Sequence, residues 1–214
     1  MIKRIIAVSV LGVSSLGMMA ANATTNGIYV VGQAGYAATH MKDKITLSPV
    51  DGLKPMPNGG IAGRLGVGYQ FNPNLAIELG YLQLSKLKTT TPGGSVTPGG
   101  PVYLAGTETL TQNAIDVAAK GILPITDKFN AYAKLGVAYL SSTITSKFDG
   151  IKGNQNEYFN IAKHKFAPEV GLGVSYNVTN NMFVDTSWTH IQPMGKSRPG
   201  NVDFAAVGIG YSFG

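Results

Sequence analysis

The chain has 214 residues, of which only 13% are Asp, Glu, Lys or Arg, while 28 are glycine and none is cysteine. An average soluble domain is about 25% charged, so this is one weakly charged domain; the missing thiol excludes disulfides, thiolate metal sites and a lipidated N-terminal cysteine, and suits an oxidising compartment. The formal net charge of +6 does not point to nucleic acid: Lys3 and Arg4 fall in a segment expected to be removed, which leaves 15 basic against 11 acidic side chains, and the densest basic run is Lys163-His164-Lys165, where a nucleic-acid binder needs a clustered stripe.

Met1-Ile2-Lys3-Arg4, the apolar stretch Ile5 to Val13 and Ala21-Asn22-Ala23 read as the charged region, short apolar region and A-x-A cleavage site of a secretory signal peptide. Cleavage after Ala23 places a signal peptide over 1–23 and one membrane domain over 24–214, beginning at Thr24. The apolar run is about nine residues, against the roughly 20 that span hydrocarbon as a helix. No later segment is longer or more apolar. Residence in a membrane therefore requires a closed barrel, because open sheet edges cannot face lipid.

The mature chain alternates with period two, the signature of strands. First, Ile28, Val30, Ala34 and Tyr36 oppose Tyr29, Val31, Gln33 and Gly35. Next, Ile61, Gly63, Leu65, Val67, Tyr69 and Phe71 oppose Ala62, Arg64, Gly66, Gly68 and Gln70, and Leu75, Ile77, Leu79 and Tyr81 oppose Ala76, Glu78 and Gly80. The pattern returns at Ile115, Val117 and Ala119 against Asp116, Ala118 and Lys120, and at Ala131 to Tyr139 against Tyr132, Lys134, Gly136 and Ala138. It closes with Val170 to Tyr176 against Glu169, Gly171, Gly173 and Ser175, with Met182 to Trp188 against Phe183, Asp185 and Ser187, and with Ala205 to Phe213 against Ala206, Gly208, Gly210 and Ser212. These predict eight strands of about 10 to 14 residues, long enough for a tilted membrane strand.

Connections alternate in length. Asn72-Pro73-Asn74, residues 124–128 and residues 178–181 are short, whereas residues 39–59, 88–107, 146–164 and 192–201 read as long loops. Short turns on one side and long loops on the other predict an all-β, eight-stranded antiparallel up-and-down transmembrane barrel with both termini periplasmic. Its apolar face meets lipid, and its small-residue face lines a lumen just wide enough for side chains. Arg64, Glu78, Asp116, Lys120, Lys134, Glu169 and Asp185 all fall on that inner face. Three positive and four negative groups nearly cancel, which predicts a paired network in a plugged interior with little conductance. Tyr36, Tyr69, Phe71, Tyr81, Tyr139, Tyr176, Trp188, Tyr211 and Phe213 fall near strand ends on the apolar face, where membrane proteins place aromatic girdles.

Together Gly27-Ile28-Tyr29-Val30-Val31-Gly32, Gly66 to Asn72, Leu75 to Tyr81, Ala119 to Pro124, Ala131 to Val137, Gly171 to Tyr176 and the closing Gly208-Ile209-Gly210-Tyr211-Ser212-Phe213 resemble the OmpA-like eight-stranded outer-membrane barrels over residues 26–214. The resemblance implies an outer-membrane location among lipid and lipopolysaccharide, and insertion by the barrel-assembly machinery with Tyr211 and Phe213 inside its recognition signal. The family usually ends on the aromatic, whereas Gly214 follows Phe213 here, and the peptidoglycan-binding domain of larger relatives is not expected.

Other readings bear on function. Barrel enzymes that deacylate lipid A carry a His-x-Ser pair on a late strand; here the sequence runs His190-Ile191-Gln192, and His40 and His164 lie in or beside loops, so no catalytic residue, cofactor or metal site is assigned. A small-solute channel of the OmpW type needs an apolar lumen, for which Leu82 and Leu84 are the only hint. Loop-mediated binding of a host or matrix ligand is the livelier expectation. The second loop repeats Thr91-Pro92-Gly93-Gly94 as Thr97-Pro98-Gly99-Gly100, and Lys42, Lys44, Lys54, Lys147, Lys152, Lys163 and Lys165 offer positive charge to phosphates or acidic glycans.

Overall fold

The computed structural model describes residues 26–40, 58–91, 106–149, 156–194 and 200–213. Ala21 and Ala23 of the expected cleavage site, the Thr-Pro-Gly-Gly repeat beyond Thr91, and Lys42, Lys44, Lys54 and Lys152 lie outside the described residues. The strands are β1 (Gly27–Thr39), β2 (Gly59–Asn72), β3 (Leu75–Leu84), β4 (Leu87–Thr91), β5 (Gly106–Pro124), β6 (Phe129–Asp149), β7 (Asn156–Asn177), β8 (Met182–Ile191) and β9 (Val202–Ser212). Apart from β3 and β4, chain neighbours pair antiparallel, and β9 returns to β1 from Tyr29↔Ser212 to Thr39↔Val202, which closes the sheet. Both β3 and β4 lie on β5; between them the register slips by one residue, from Gln83↔Asn113 to Leu87↔Leu110, a bulge in a single stave. The barrel therefore has eight staves.

Register fixes its girth. Stepping across the ladders from Tyr29 leads through Gly68, Glu78, Ala118, Gly136, Glu169, Ile191 and Val202 back to β1 at Thr39, ten residues along. Eight staves with that stagger tilt by about 40–45°, and the interior admits side chains only.

Hydroxyl and amide side chains shape the three short turns. Asn72 Oδ1 accepts the Asn74 N–H at 2.8 Å; Thr126 Oγ1 accepts the Lys128 and Phe129 N–H groups; Thr179 Oγ1 accepts those of Asn181 and Met182. At the opposite end the strands run further than the sequence predicted. β5, β6 and β7 have 19, 21 and 22 residues, and pairs such as Ile144↔Ile161 carry the β6–β7 ladder through most of the stretch expected to be the third loop. Likewise, β4 and the start of β5 replace parts of the second expected loop. The misjudged stretches, such as Lys88 to Thr91 and Ser146 to Asp149, are rich in polar residues, threonine among them. Polarity on both faces signals water on both faces; it does not signal a turn, and β-branched threonine favours the strand. Beyond the membrane belt β4–β5–β6–β7 thus form a four-stranded blade, its inner face sealed by Leu87, Leu110 and Ile144.

The outer belt is almost wholly apolar, Thr186 of β8 being an exception. Ile61 is 74% exposed, Leu65 70% and Leu135 68%, a surface that is tolerable only when hydrocarbon covers it. Replacing Leu65, midway along β2, with Arg is expected to cost about 2–4 kcal/mol, measured as a shift in reversible urea unfolding in lipid vesicles, while Ile61→Arg nearer the strand end costs less.

Candidate functional site

Alternation delivers one residue in two to the lumen, and the inward set sorts into three layers. The middle layer is ionic. Arg64 of β2 grips Asp116 of β5 with a fork, Nη2 to Oδ1 at 2.6 Å and Nε to Oδ2 at 3.3 Å, and reaches Glu78 of β3 through Nη1 at 2.7 Å. Lys134 of β6 donates to the same Glu78 oxygen at 3.0 Å, and Lys120 lies 3.9 Å from the other, which also accepts the Tyr29 hydroxyl at 2.8 Å. Glu78 is therefore the hub of three cations. The Lys120 ammonium also sits 4.0 Å over the Tyr132 ring, whose hydroxyl donates to Asp185 at 2.6 Å. Gln33 donates to the other Asp185 oxygen and to Ser187.

Six of the seven charged residues singled out in the sequence thus meet in one network. Glu169 does not join it: it is buried, and neither carboxylate oxygen has a hydrogen-bond partner. Tyr29, Gln33, Tyr132 and Ser187 complete the network and were not assigned a role from the sequence, although their inward parity was visible. Gly80 shows why the inner face is rich in small residues. The space its missing side chain leaves is filled by the Arg64 guanidinium and the Asp116 carboxylate, with which a Cβ would collide.

Above the ions, toward the long loops, lies an apolar layer: Leu82, Leu84, Leu140, Ile191, Val202 and Phe204, packed among alanines. This corrects the expectation that Leu82 and Leu84 stand alone, because Leu140, Ile191, Val202 and Phe204 also point inward. Leu140, Val202 and Phe204 are each 0% exposed, so the layer is filled rather than hollow. Below the ions Tyr29, Val31 and Ala76 pack with Ile122 and Phe183. There a cavity of about 30 Å³, walled in part by Lys120, Gln70, Asn130 and Ser212, has room for one water-sized molecule.

The nine aromatics singled out near strand ends all face outward. Tyr69, Phe71, Tyr176, Tyr211 and Phe213 lie at the short-turn end, with edge-on pairs Tyr69–Phe71 and Tyr211–Phe213 at 5.1 and 5.0 Å. Tyr36, Tyr81, Tyr139 and Trp188 lie toward the loop end, where Tyr139 also packs on Phe166 and stacks on His164. Phe166 was missed because its neighbourhood read as loop.

At the loop-end rim His190 Nδ1 is 2.8 Å from Asp203 Oδ1 and Nε2 is 3.2 Å from Gln192 Oε1. A histidine oriented by a carboxylate is half of a nucleophile-activating arrangement, but its second nitrogen meets an amide instead of a hydroxyl. Among the described residues no group of His, Cys, Asp or Glu is arranged to hold a metal ion.

A closed antiparallel eight-stave barrel with an apolar outer belt and a polar, filled lumen defines a small integral outer-membrane protein of a bacterium. The chain belongs to the OmpA-like transmembrane domain family, which it matches over residues 23–214. It is 26% identical over 217 residues to an uncharacterized protein of Coxiella burnetii, covering 90% of this chain and 87% of that one. It is 25% identical over 180 residues to the outer membrane protein PagN of Salmonella typhimurium, covering 77% and 74%. Among solved structures it is similar to Neisserial surface protein A, with TM-score 0.52, 15% identity and coverage of 87% and 97%. It is similar also to OprG of Pseudomonas aeruginosa, with TM-score 0.51, 14% identity and coverage of 88% and 97%. These two likenesses establish the fold.

The two buried glutamates separate cleanly in experiment. Glu78→Gln leaves three cations without their hub and is expected to destabilise the barrel by about 3–5 kcal/mol. Glu169→Gln removes a buried carboxylate that accepts no hydrogen bond and is expected to leave stability unchanged or raise it. Urea unfolding of both variants in the same vesicles, read as loss of the compact species on unboiled gels, makes the comparison.

Proposed function

We propose that this protein is a closed outer-membrane scaffold, non-conducting or weakly conducting, that presents its extracellular strands and loops to ligands outside the cell and carries no enzymatic activity. The observation that carries the reading is the apolar layer of fully buried side chains lying over a paired ionic layer. Residues that seal a lumen this completely favour display over transport. The blade supplies a surface to display: above the end of the β8 ladder, β7 has no partner strand on that side among the described residues, and its edge carries exposed Lys163, His164 and Lys165. Lysines on an open edge deter sheet-to-sheet aggregation and attract anions. Acidic glycans and lipopolysaccharide phosphates are the ligand chemistry that fits. The outward tyrosines, Trp188 and the phenylalanines hold the barrel at its two lipid interfaces. The closing Tyr211-Ser212-Phe213 serves recognition by the barrel-assembly machinery.

The competing reading, a narrow channel, makes the opposite electrical forecast. In planar bilayers the wild-type protein is expected to give little or no current, and Leu140→Ala with Phe204→Ala is expected to open small steps by emptying the apolar layer. Large stable openings of the wild type sink the proposal. For display, Lys163→Glu with Lys165→Glu is expected to lower retention on an immobilised sulfated polysaccharide several-fold, and deletion of residues 91–100 to reduce binding of intact cells to host matrix. Unchanged binding in both removes the adhesive role.

A further inference from the structure

The cavity below the ionic layer, about 30 Å³ in volume, is closed on its ionic side by Lys120. That side chain is only 8% exposed, and among the described residues its ammonium makes no hydrogen bond. The nearest carboxylate oxygen, Oε2 of Glu78, is 3.9 Å away, and its other contacts are the ring faces of Tyr132 at 4.0 Å and Tyr29 at 5.3 Å. The Glu78 oxygen is already served, since the Tyr29 hydroxyl donates to it at 2.8 Å. Arg64 and Lys134 hold the second Glu78 oxygen, the Arg64 fork satisfies Asp116, and Tyr132 and Gln33 satisfy Asp185. Every carboxylate of the layer is thus satisfied without a hydrogen bond from Lys120. The N–H groups of a buried cation are left for whatever the cavity holds.

The rest of the wall suits a small anion. It contains no carboxylate; its polar members are the amides of Gln70, Asn130 and Asn177 and the hydroxyls of Ser175 and Ser212. Asn130 and Ser212 are 7% and 5% exposed, and neither side chain has a hydrogen-bond partner among the described residues. An amide NH2 and a rotatable hydroxyl can both donate. Tyr29 and Phe183 close the sides, their rings edge-on to each other at 6.1 Å. Water has room there but brings no charge, and an ammonium in a low-dielectric lumen gains most from an anion. A space of about 30 Å³ takes one monatomic ion and is too tight for phosphate or sulfate. Glu169, the carboxylate without a hydrogen bond, does not serve here, because it stands level with Ile191 of the apolar layer. We propose that this cavity is a halide site, entered from the short-turn end, in which Lys120 donates to the bound ion and Asn130 and Ser212 complete its shell. The apolar layer stands across the other route. A bound chloride gives the loosest cation of the ionic layer the partner that the side chains do not supply.

Bromide and chloride are the probes. Crystals soaked in sodium bromide are expected to show an anomalous peak in the cavity, within hydrogen-bond reach of Lys120 Nζ. In solution, the folded protein in detergent micelles is expected to broaden the chloride-35 resonance, and added bromide to narrow it again. Asn130→Leu keeps the shape of the side chain, leaves every ion pair in place and removes one donor, so it should cut the excess broadening several-fold. Lys120→Met should abolish it. Lys163→Glu with Lys165→Glu should leave it unchanged, which separates the cavity from the lysines at the loop end. Heat-dependent gel migration confirms that each variant is folded, and where one is not, the wild-type map and line width decide. Water alone in the cavity or bromide solely at exposed lysines overturns the proposal. So does a peak without broadening in solution, which means binding at crystal concentration only. Broadening that persists in folded Lys120→Met or Asn130→Leu, or that vanishes with the loop-end lysines, overturns it equally.

Discussion

Hydrocarbon offers the backbone no hydrogen bonds, and each unpaired N–H or C=O left in it costs several kcal/mol. That constraint governs everything else in this molecule. It forces the sheet to close through β1 and β9, and closure with eight staves and a ten-residue stagger leaves no room for anything but side chains. Once the interior is that narrow, its contents must satisfy one another. Arg64, Lys120 and Lys134 are tolerable there because Glu78 and Asp116 stand within reach, and Asp185 because Tyr132 and Gln33 supply donors. Where the ladder rises past the lipid, at the blade, the constraint lapses. Open edges appear there and nowhere lower among the described residues.

The fold was legible in the chain because lipid and lumen impose opposite chemistry on alternate residues. Leu65 and Arg64 are neighbours in sequence and face different media, and a period of two records that directly. The seven inward charges were legible for the same reason. What parity cannot encode is partnership. Arg64 meets Asp116 across 52 positions and Gln33 meets Ser187 across 154, and such pairs depend on the stagger accumulated around the whole barrel. Charge counting over seven groups suggested near-balance; only the closed geometry separates Glu78, which holds three cations, from Glu169, which holds none.

Strand ends were legible only where the medium changes abruptly. At the short turns, Asn72, Thr126 and Thr179 announce the reversal with side chains that cap their own backbone. At the other end the strands pass from lipid into water without turning, so the alternation fades while the pairing continues. Lys88 to Thr91 and Ser146 to Asp149 look like loop because both their faces are wet. The cavity below the ions was hidden differently. Lys120, Asn130 and Ser212 belong to three strands separated by up to 92 positions, and no local spacing joins them. The closed register does.

The order of the layers constrains what the lumen can do. Ion pairs in a low-dielectric interior are held strongly but tolerate exchange of partners, because Glu78 already shares its two oxygens among Arg64, Lys134 and Lys120. Glu169 is a further carboxylate in the same interior with nothing bound to it. Rearrangement within the ionic layer is therefore cheap compared with moving any charge upward, where Leu82, Leu140, Val202 and Phe204 offer no polar partner. A cation that left the layer in that direction would face the full cost of an unpaired buried charge. The apolar layer, more than the charge network, is where a charge moving along the lumen would meet the fewest partners.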